Sequence, residues 1–173
     1  MKDQEIKYAI WVEFDDEFTV FLDKKCKELE EYKIDPAIRP PHMTLTFVKT
    51  DNQEKLIEYT KAFIQENTVD IVVNSIGGFS GGVLFYAPKV SKELIEFQSA
   101  FCQGVSEFGE LAWDLYYPGN WTPHIALTGE LDDTAAAKAF SIMRNEFSVT
   151  NATIKSVVIK SCVDGEVVLK LEI

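Results

Sequence analysis

Residues 7–14, Tyr-Ala-Ile-Trp-Val-Glu-Phe-Asp, gather β-branched and aromatic side chains into one short run and predict a strand. The rhythm then changes. Asp15-Asp16 offers an N-cap, and beyond it Phe18, Phe21, Leu22, Cys26 and Leu29 recur at helical spacing to about residue 32. A loop containing Pro36, Pro40 and Pro41 leads into a strand over 43–48. Asp51 is placed to cap a second helix whose apolar stripe is Leu56, Ile57, Tyr59, Ala62 and Phe63. Residues 69–76 predict a strand, and Gly77-Gly78 with Gly81-Gly82 turn the chain into another at 83–86.

A second series begins with Ser91, which caps a helix carrying Leu94, Ile95, Phe97, Phe101 and Val105. A loop with Pro118, Gly119 and Pro123 leads to a strand at 125–127. Asp132-Asp133 then opens a helix through Ala137, Phe140 and Met143, and strands near 152–160 and 166–172 close the chain. The two series resemble each other. Pro41-His42-Met43-Thr44-Leu45-Thr46 and Pro123-His124-Ile125-Ala126-Leu127-Thr128 agree at four of six positions, and residues 81–90 fall against 164–173 in the same way. The pattern implies an internal duplication of about 80 residues. The expected fold is α+β: one bilobal domain over 1–173, with antiparallel sheets lining a central cleft and helices outside.

Both histidines of the chain occupy the same position of the same hexapeptide. A folding constraint explains the repeated proline and leucine, but not imidazole at both places. Alternate side chains on a strand share a face, so His42, Thr44 and Thr46 are expected to point together, with Met43, Leu45 and Phe47 packed behind. In the second motif His124, Ala126 and Thr128 share the site side, with Ile125 and Leu127 behind. Imidazole titrates near neutrality, so one ring can deprotonate water or a ribose hydroxyl while the other protonates the leaving oxygen of a phosphodiester.

The doubled motif resembles the signature of the 2H phosphoesterases, which include the RNA ligase-like 2′–5′ phosphoesterases: His-x-Thr/Ser-apolar on each of two symmetric lobes. His42-Met43-Thr44-Leu45 matches it fully. His124-Ile125-Ala126-Leu127 departs from it at Ala126, where Thr or Ser is expected. The resemblance implies action on 2′,3′-cyclic or 2′–5′ phosphodiesters of nucleotides or RNA ends, with no metal and no cofactor. It implies His42 and His124 as the acid–base pair and Thr44 as a phosphate donor. A hydroxyl missing at 126 would cost about 1.5–3 kcal/mol at a charged phosphate, roughly tenfold to hundredfold in rate, unless another donor replaces it. Thr128 lies on the same face but about 6–7 Å farther along the strand.

Further substrate contacts are expected nearby. Arg39 lies three residues before His42 and is within reach of an anion. Tyr116, Tyr117 and Trp121 lie on the loop before His124, where an aromatic face can stack on a base. Trp11 and Trp113 are assigned to core or lobe packing, and Gly119 to a turn. The sequence has no P-loop, no dinucleotide fingerprint and no metal-ligand spacing.

Composition narrows the substrate. Net charge is −11, from 17 basic and 28 acidic residues. Long nucleic acid is bound through many neutralised phosphates, so a duplex is not expected, whereas a nucleotide or an RNA terminus is. Cys26, Cys102 and Cys162 show no pairing pattern and are expected as buried free thiols in a reducing compartment. Met1–Glu5 is charged and leads into a strand rather than a signal-peptide core, and no apolar run approaches the length of a membrane helix. A cytoplasmic monomer is the expectation. Two alternatives stay open: a nucleotide-binding module whose catalysis decayed through Ala126, and a structural protein in which the histidines are incidental.

Overall fold

The computed structural model describes residues 6–37 and 39–173. The expectation for Met1–Glu5 lies outside the described residues. The chain runs β1 (Tyr8–Phe14), α1 (Asp16–Glu31), β2 (Met43–Lys49), α2 (Gln53–Glu66), β3 (Ile71–Gly78), β4 (Leu84–Pro88) and α3 (Lys92–Val105). It continues through β5 (Glu110–Ala112), a single 3-10 turn at Asp114–Tyr116, β6 (Ile125–Ala126), α4 (Asp133–Arg144), β7 (Thr150–Ala152), β8 (Ile154–Ser161) and β9 (Val167–Glu172). Two antiparallel sheets result, ordered β5-β2-β1-β8-β9 and β6-β4-β3-β7. The α+β fold with antiparallel sheets is thus as the residue pattern implied.

The helix starts follow local chemistry. Asp15, Ser91 and Asp132 accept the backbone N–H groups of Phe18, Leu94 and Ala135 at 3.0, 3.1 and 2.8 Å, satisfying donors that a helix start leaves unpaired. The cap of α2 is Asn52, not Asp51; Asn52 accepts from the Lys55 N–H, and Asp51 pairs with Lys7 instead. The apolar stripe of α1 is buried as expected at Phe18, Leu22, Cys26 and Leu29. In α2 Ala62 is exposed and Thr60 is buried. The phase of α4 also differs: Ala139, Ile142 and Met143 are buried, while Ala137 and Phe140 face outward. Alanine-rich helices carry too little hydrophobic contrast to set their own rotation, so packing of α4 against α1, β3 and β4 decides it.

The sheets do not follow the two halves of the sequence. β8 and β9, from the second series, complete the sheet of β1 and β2, and β3 pairs in the sheet of β4 and β6. Each half therefore lends a strand to the other, which stitches the lobes together. A large apolar cluster runs continuously through both, from Ile10, Val12 and Leu45 to Phe101, Ile125 and Met143.

Two glycines permit close approaches that shape the second sheet. Gly82, at φ +83° in the β3–β4 turn, leaves no room for a Cβ, which would collide with the carbonyl oxygen of Leu131. Gly77 faces the ring of Phe85 across the β3–β4 pair, and a side chain there would displace that ring.

Candidate active site

β2 carries a bulge. Thr46 is opposite Ile10, but Thr44, not Leu45, is opposite Trp11, so one extra residue enters β2 at this step. The alternation of faces shifts by one across it. Thr44 and Phe47 therefore face the same side, while Met43, Leu45 and Thr46 pack inward. This corrects the expected pattern at two positions. Phe47 lines the cleft, and Thr46 is wholly buried, its hydroxyl donating to the Phe47 carbonyl at 3.4 Å and lying against the Cys102 thiol.

The cleft has a volume of about 510 Å³, and both motifs open into it: His42 immediately before β2 with Thr44 on it, and His124 immediately before β6 with Ala126 on it. Each histidine is fixed in the same way. His42 Nδ1 lies 2.7 Å from the Pro40 carbonyl oxygen, and His124 Nδ1 lies 2.7 Å from that of Thr122, in both cases two residues back. A carbonyl can only accept, so Nδ1 carries the proton in each ring, and Nε2 is the nitrogen left for chemistry. The duplication seen in the residues is reproduced in tautomer and orientation.

The surroundings of the two rings differ. His42 stacks on Trp11 with ring centroids 4.5 Å apart, and the Trp11 indole N–H donates to Glu13 at 3.3 Å. His124 meets the edges of Phe79 and Phe85 at 5.0 and 5.5 Å, with Tyr116 at 6.2 Å. Burial holds both imidazoles below the usual histidine pKa; the hydrogen bonds to Pro40 and Thr122 oppose this, as does Glu13 near His42, while His124 and Lys160 add to it for His42. Both rings therefore favour the neutral form in the free protein.

The remaining residues proposed from sequence fall in other places. Arg39 is exposed and pairs with Glu30 at 2.6 Å, away from the cleft lining. Tyr117 turns its hydroxyl to the Leu111 carbonyl at 2.8 Å, as part of the loop's own packing. Trp121 is buried, and its indole N–H donates to the Thr44 carbonyl at 3.0 Å, so it braces the lobes instead of offering a stacking face. Thr128, two residues beyond the end of β6, is buried, accepts the Leu84 N–H at 2.9 Å and bridges to Pro36, so its hydroxyl is spent on backbone. Tyr116 does line the cleft.

Other lining residues were assigned differently or missed. Trp113, placed in the packing, is 56% exposed with φ +65° at the rim and lies parallel to Tyr116, with centroids 6.0 Å apart. Trp11 is buried as expected but forms the wall under His42. Lys160, Ser161, Cys162 and Gly165 enter from β8 and its turn, so Cys162 is an exposed thiol and not a buried one. Cys26 and Cys102 are buried free thiols. Among the described residues no group of three or more His, Cys, Asp and Glu is placed to hold a metal, and no helix is long and apolar enough to cross a membrane.

The sequence model of the 2′-5′ RNA ligase superfamily matches residues 21–161, a span that includes both histidine motifs. The chain belongs to this superfamily. Its fold agrees: E. coli LigT in apo form superposes with a TM-score of 0.60 at 10% identity, over 99% of this chain and 96% of that one. LigT complexed with 3′-AMP gives 0.58 at 9% identity, again over 99% and 96%. No curated protein sequence matches the chain. Membership makes this a 2H-type phosphoesterase fold, and the Ala126 departure lies on the wall of its cleft.

Proposed function

We propose that this superfamily member hydrolyses a 2′,3′-cyclic or 2′–5′ phosphodiester of a nucleotide or RNA end, without a metal or cofactor, as a cytoplasmic monomer. The observation that carries the reading is the pair of imidazoles on one cleft, each with Nδ1–H tied to the carbonyl two residues back and Nε2 left free. In the forward step, one neutral Nε2 takes a proton from water as the water oxygen attacks phosphorus. The phosphorus–oxygen bond to the ribose breaks, and the leaving oxygen takes a proton from the other, protonated ring. Thr44 donates to a non-bridging oxygen. Two carried protons and no external electron donor balance the reaction. Joining RNA ends would use the same groups in reverse.

Incubation of the protein with a panel of 2′,3′-cyclic nucleotides and short 2′–5′-linked oligomers, with and without chelator, tests this. Monophosphate formation that persists in chelator is expected. Chelator-sensitive turnover would contradict the metal-free mechanism. Tight nucleotide binding without turnover would favour the second reading, a binding module, for which Ala126 is the specific observation.

The lowered pKa values give a signed pH expectation. In free protein both rings lose their protons below pH 6.5, so the species with one ring neutral and one protonated is most populated on the acid side of 6.5. The kcat/KM profile should be bell-shaped with its maximum below pH 6.5. An anionic phosphodiester in the cleft favours the protonated ring, so the alkaline limb of kcat should lie at higher pH than that of kcat/KM. Initial rates across pH 4.5–8.5 check both; a kcat/KM maximum above pH 7 would contradict the assignment.

A further inference from the structure

The lining of the cleft is mostly apolar and aromatic, and Lys160 is the only formally charged side chain on it among the described residues. Strand register accounts for its position. In β8 Lys160 is opposite Ala9 and Val158 is opposite Trp11, so these residues share the cleft face, while Val157 and Ile159 enter the core. Other lysines of the same sheet are neutralised: Lys49 by Glu110, Lys155 by Asp16 and Lys170 by Glu13. Lys160 has no carboxylate partner among the described residues, although the chain carries 28 acidic residues. Lys160 is half-buried, and the field of a cation without a counter-ion is concentrated by the low-dielectric walls around it. It lies near enough to His42 to disfavour that ring's protonation. On the facing lobe, Ala126 lines the same cleft without a hydroxyl.

We propose that Lys160 binds the phosphoryl oxygens in this cleft, supplying the charge-assisted donor that a hydroxyl at position 126 would otherwise provide, and so fits the site to a singly charged phosphodiester. The proposal rests on the phosphoesterase reading above and deepens it. An ammonium with three donors can serve both non-bridging oxygens, whereas one hydroxyl serves one. Lys160 is the only permanently cationic side chain on the lining among the described residues; with one further proton shared by the two histidines, the cleft matches a phosphodiester monoanion better than a triphosphate.

The test uses the full chain and the variants Lys160→Met, Lys160→Arg, Ala126→Thr and Lys160→Met/Ala126→Thr. Three readouts are followed: hydrolysis of a 2′,3′-cyclic nucleotide, calorimetric binding of a nucleoside 3′-monophosphate, and the His42 titration by NMR. Lys160→Met is expected to lower kcat/KM by about thirtyfold to a hundredfold and weaken monophosphate binding by at least about tenfold, with Lys160→Arg within about threefold of the parent. Ala126→Thr should recover about tenfold in the Lys160→Met background. The His42 pKa should rise when the cation is removed, and the melting temperature should hold, since no ion pair is broken. Unchanged turnover and binding in Lys160→Met, in a protein that hydrolyses the substrate, would overturn this inference alone. Binding without turnover in the parent would overturn the hydrolase reading and leave Lys160 to be judged on affinity. Neither binding nor turnover in the parent would overturn both.

Discussion

His42→Ala and His124→Ala should each lower kcat on a 2′,3′-cyclic nucleotide by about a hundredfold to ten-thousandfold, the range that a positioned acid or base contributes. The double variant should fall little further than the worse single one, because both rings act in the same turnover. Folding should be nearly unaffected: each ring is half-buried, and its one hydrogen bond is to a neighbouring carbonyl of its own segment. The pH profiles then assign the roles. Loss of the base removes the acid limb of the bell, and loss of the acid removes the alkaline limb. The fixed tautomer makes the experiment clean, since both rings present the same nitrogen and differ only in their surroundings, an indole face for His42 and phenyl edges for His124. Variants that keep parental turnover while melting at lower temperature would show the histidines to be structural.

The second large effect is expected at Trp121. Truncation to alanine empties a buried indole site and removes the donor to the Thr44 carbonyl, at a cost of about 3–5 kcal/mol. For a chain of this size that corresponds to a melting temperature lowered by about 10 °C or more. Trp121→Phe keeps most of the packing but loses the N–H and part of the ring, and should cost about 1–3 kcal/mol. The variants should also slow catalysis at temperatures where they remain folded. Trp121 lies three residues before His124 and ties that loop to the carbonyl of Thr44 in the other lobe. Gln98 reinforces the tie from α3, with its amide N–H groups on the Leu45 and Tyr116 carbonyls at 3.0 and 2.9 Å. An unaltered melting temperature together with a raised KM would return Trp121 to the role of a substrate contact.

The same residue shows where reading along the chain stops being sufficient. An aromatic on a loop beside a histidine motif is equally well suited to stacking on a base and to bracing the loop, and the two uses have the same local composition. Burial separates them: Trp121 faces inward, while Trp113, which looked like a packing residue, stands at the rim. Lys160 was visible as a charge within an apolar strand, but nothing local says that β8 crosses to the sheet of the other half and brings that charge beside His42.

What could be read from one dimension was whatever repeats at short range. Strand and helix periodicity, the caps at Asp15, Ser91 and Asp132, and above all the doubled Pro-His-x-x-Leu-Thr unit were legible because each depends on residues a few positions apart. Long-range pairing decided the rest. The bulge opposite Ile10 and Trp11 reversed the facing of Phe47 and Thr46, since one additional residue exchanges the two sides of a strand and only its partner reveals the addition. The exchange of β3 and β8 between lobes, the burial of Thr128 against Leu84 and the pairing of Arg39 with Glu30 likewise came from neighbours distant in sequence or bound by no short-range rule. The paired histidine motifs were encoded locally; the company they keep was settled by the fold.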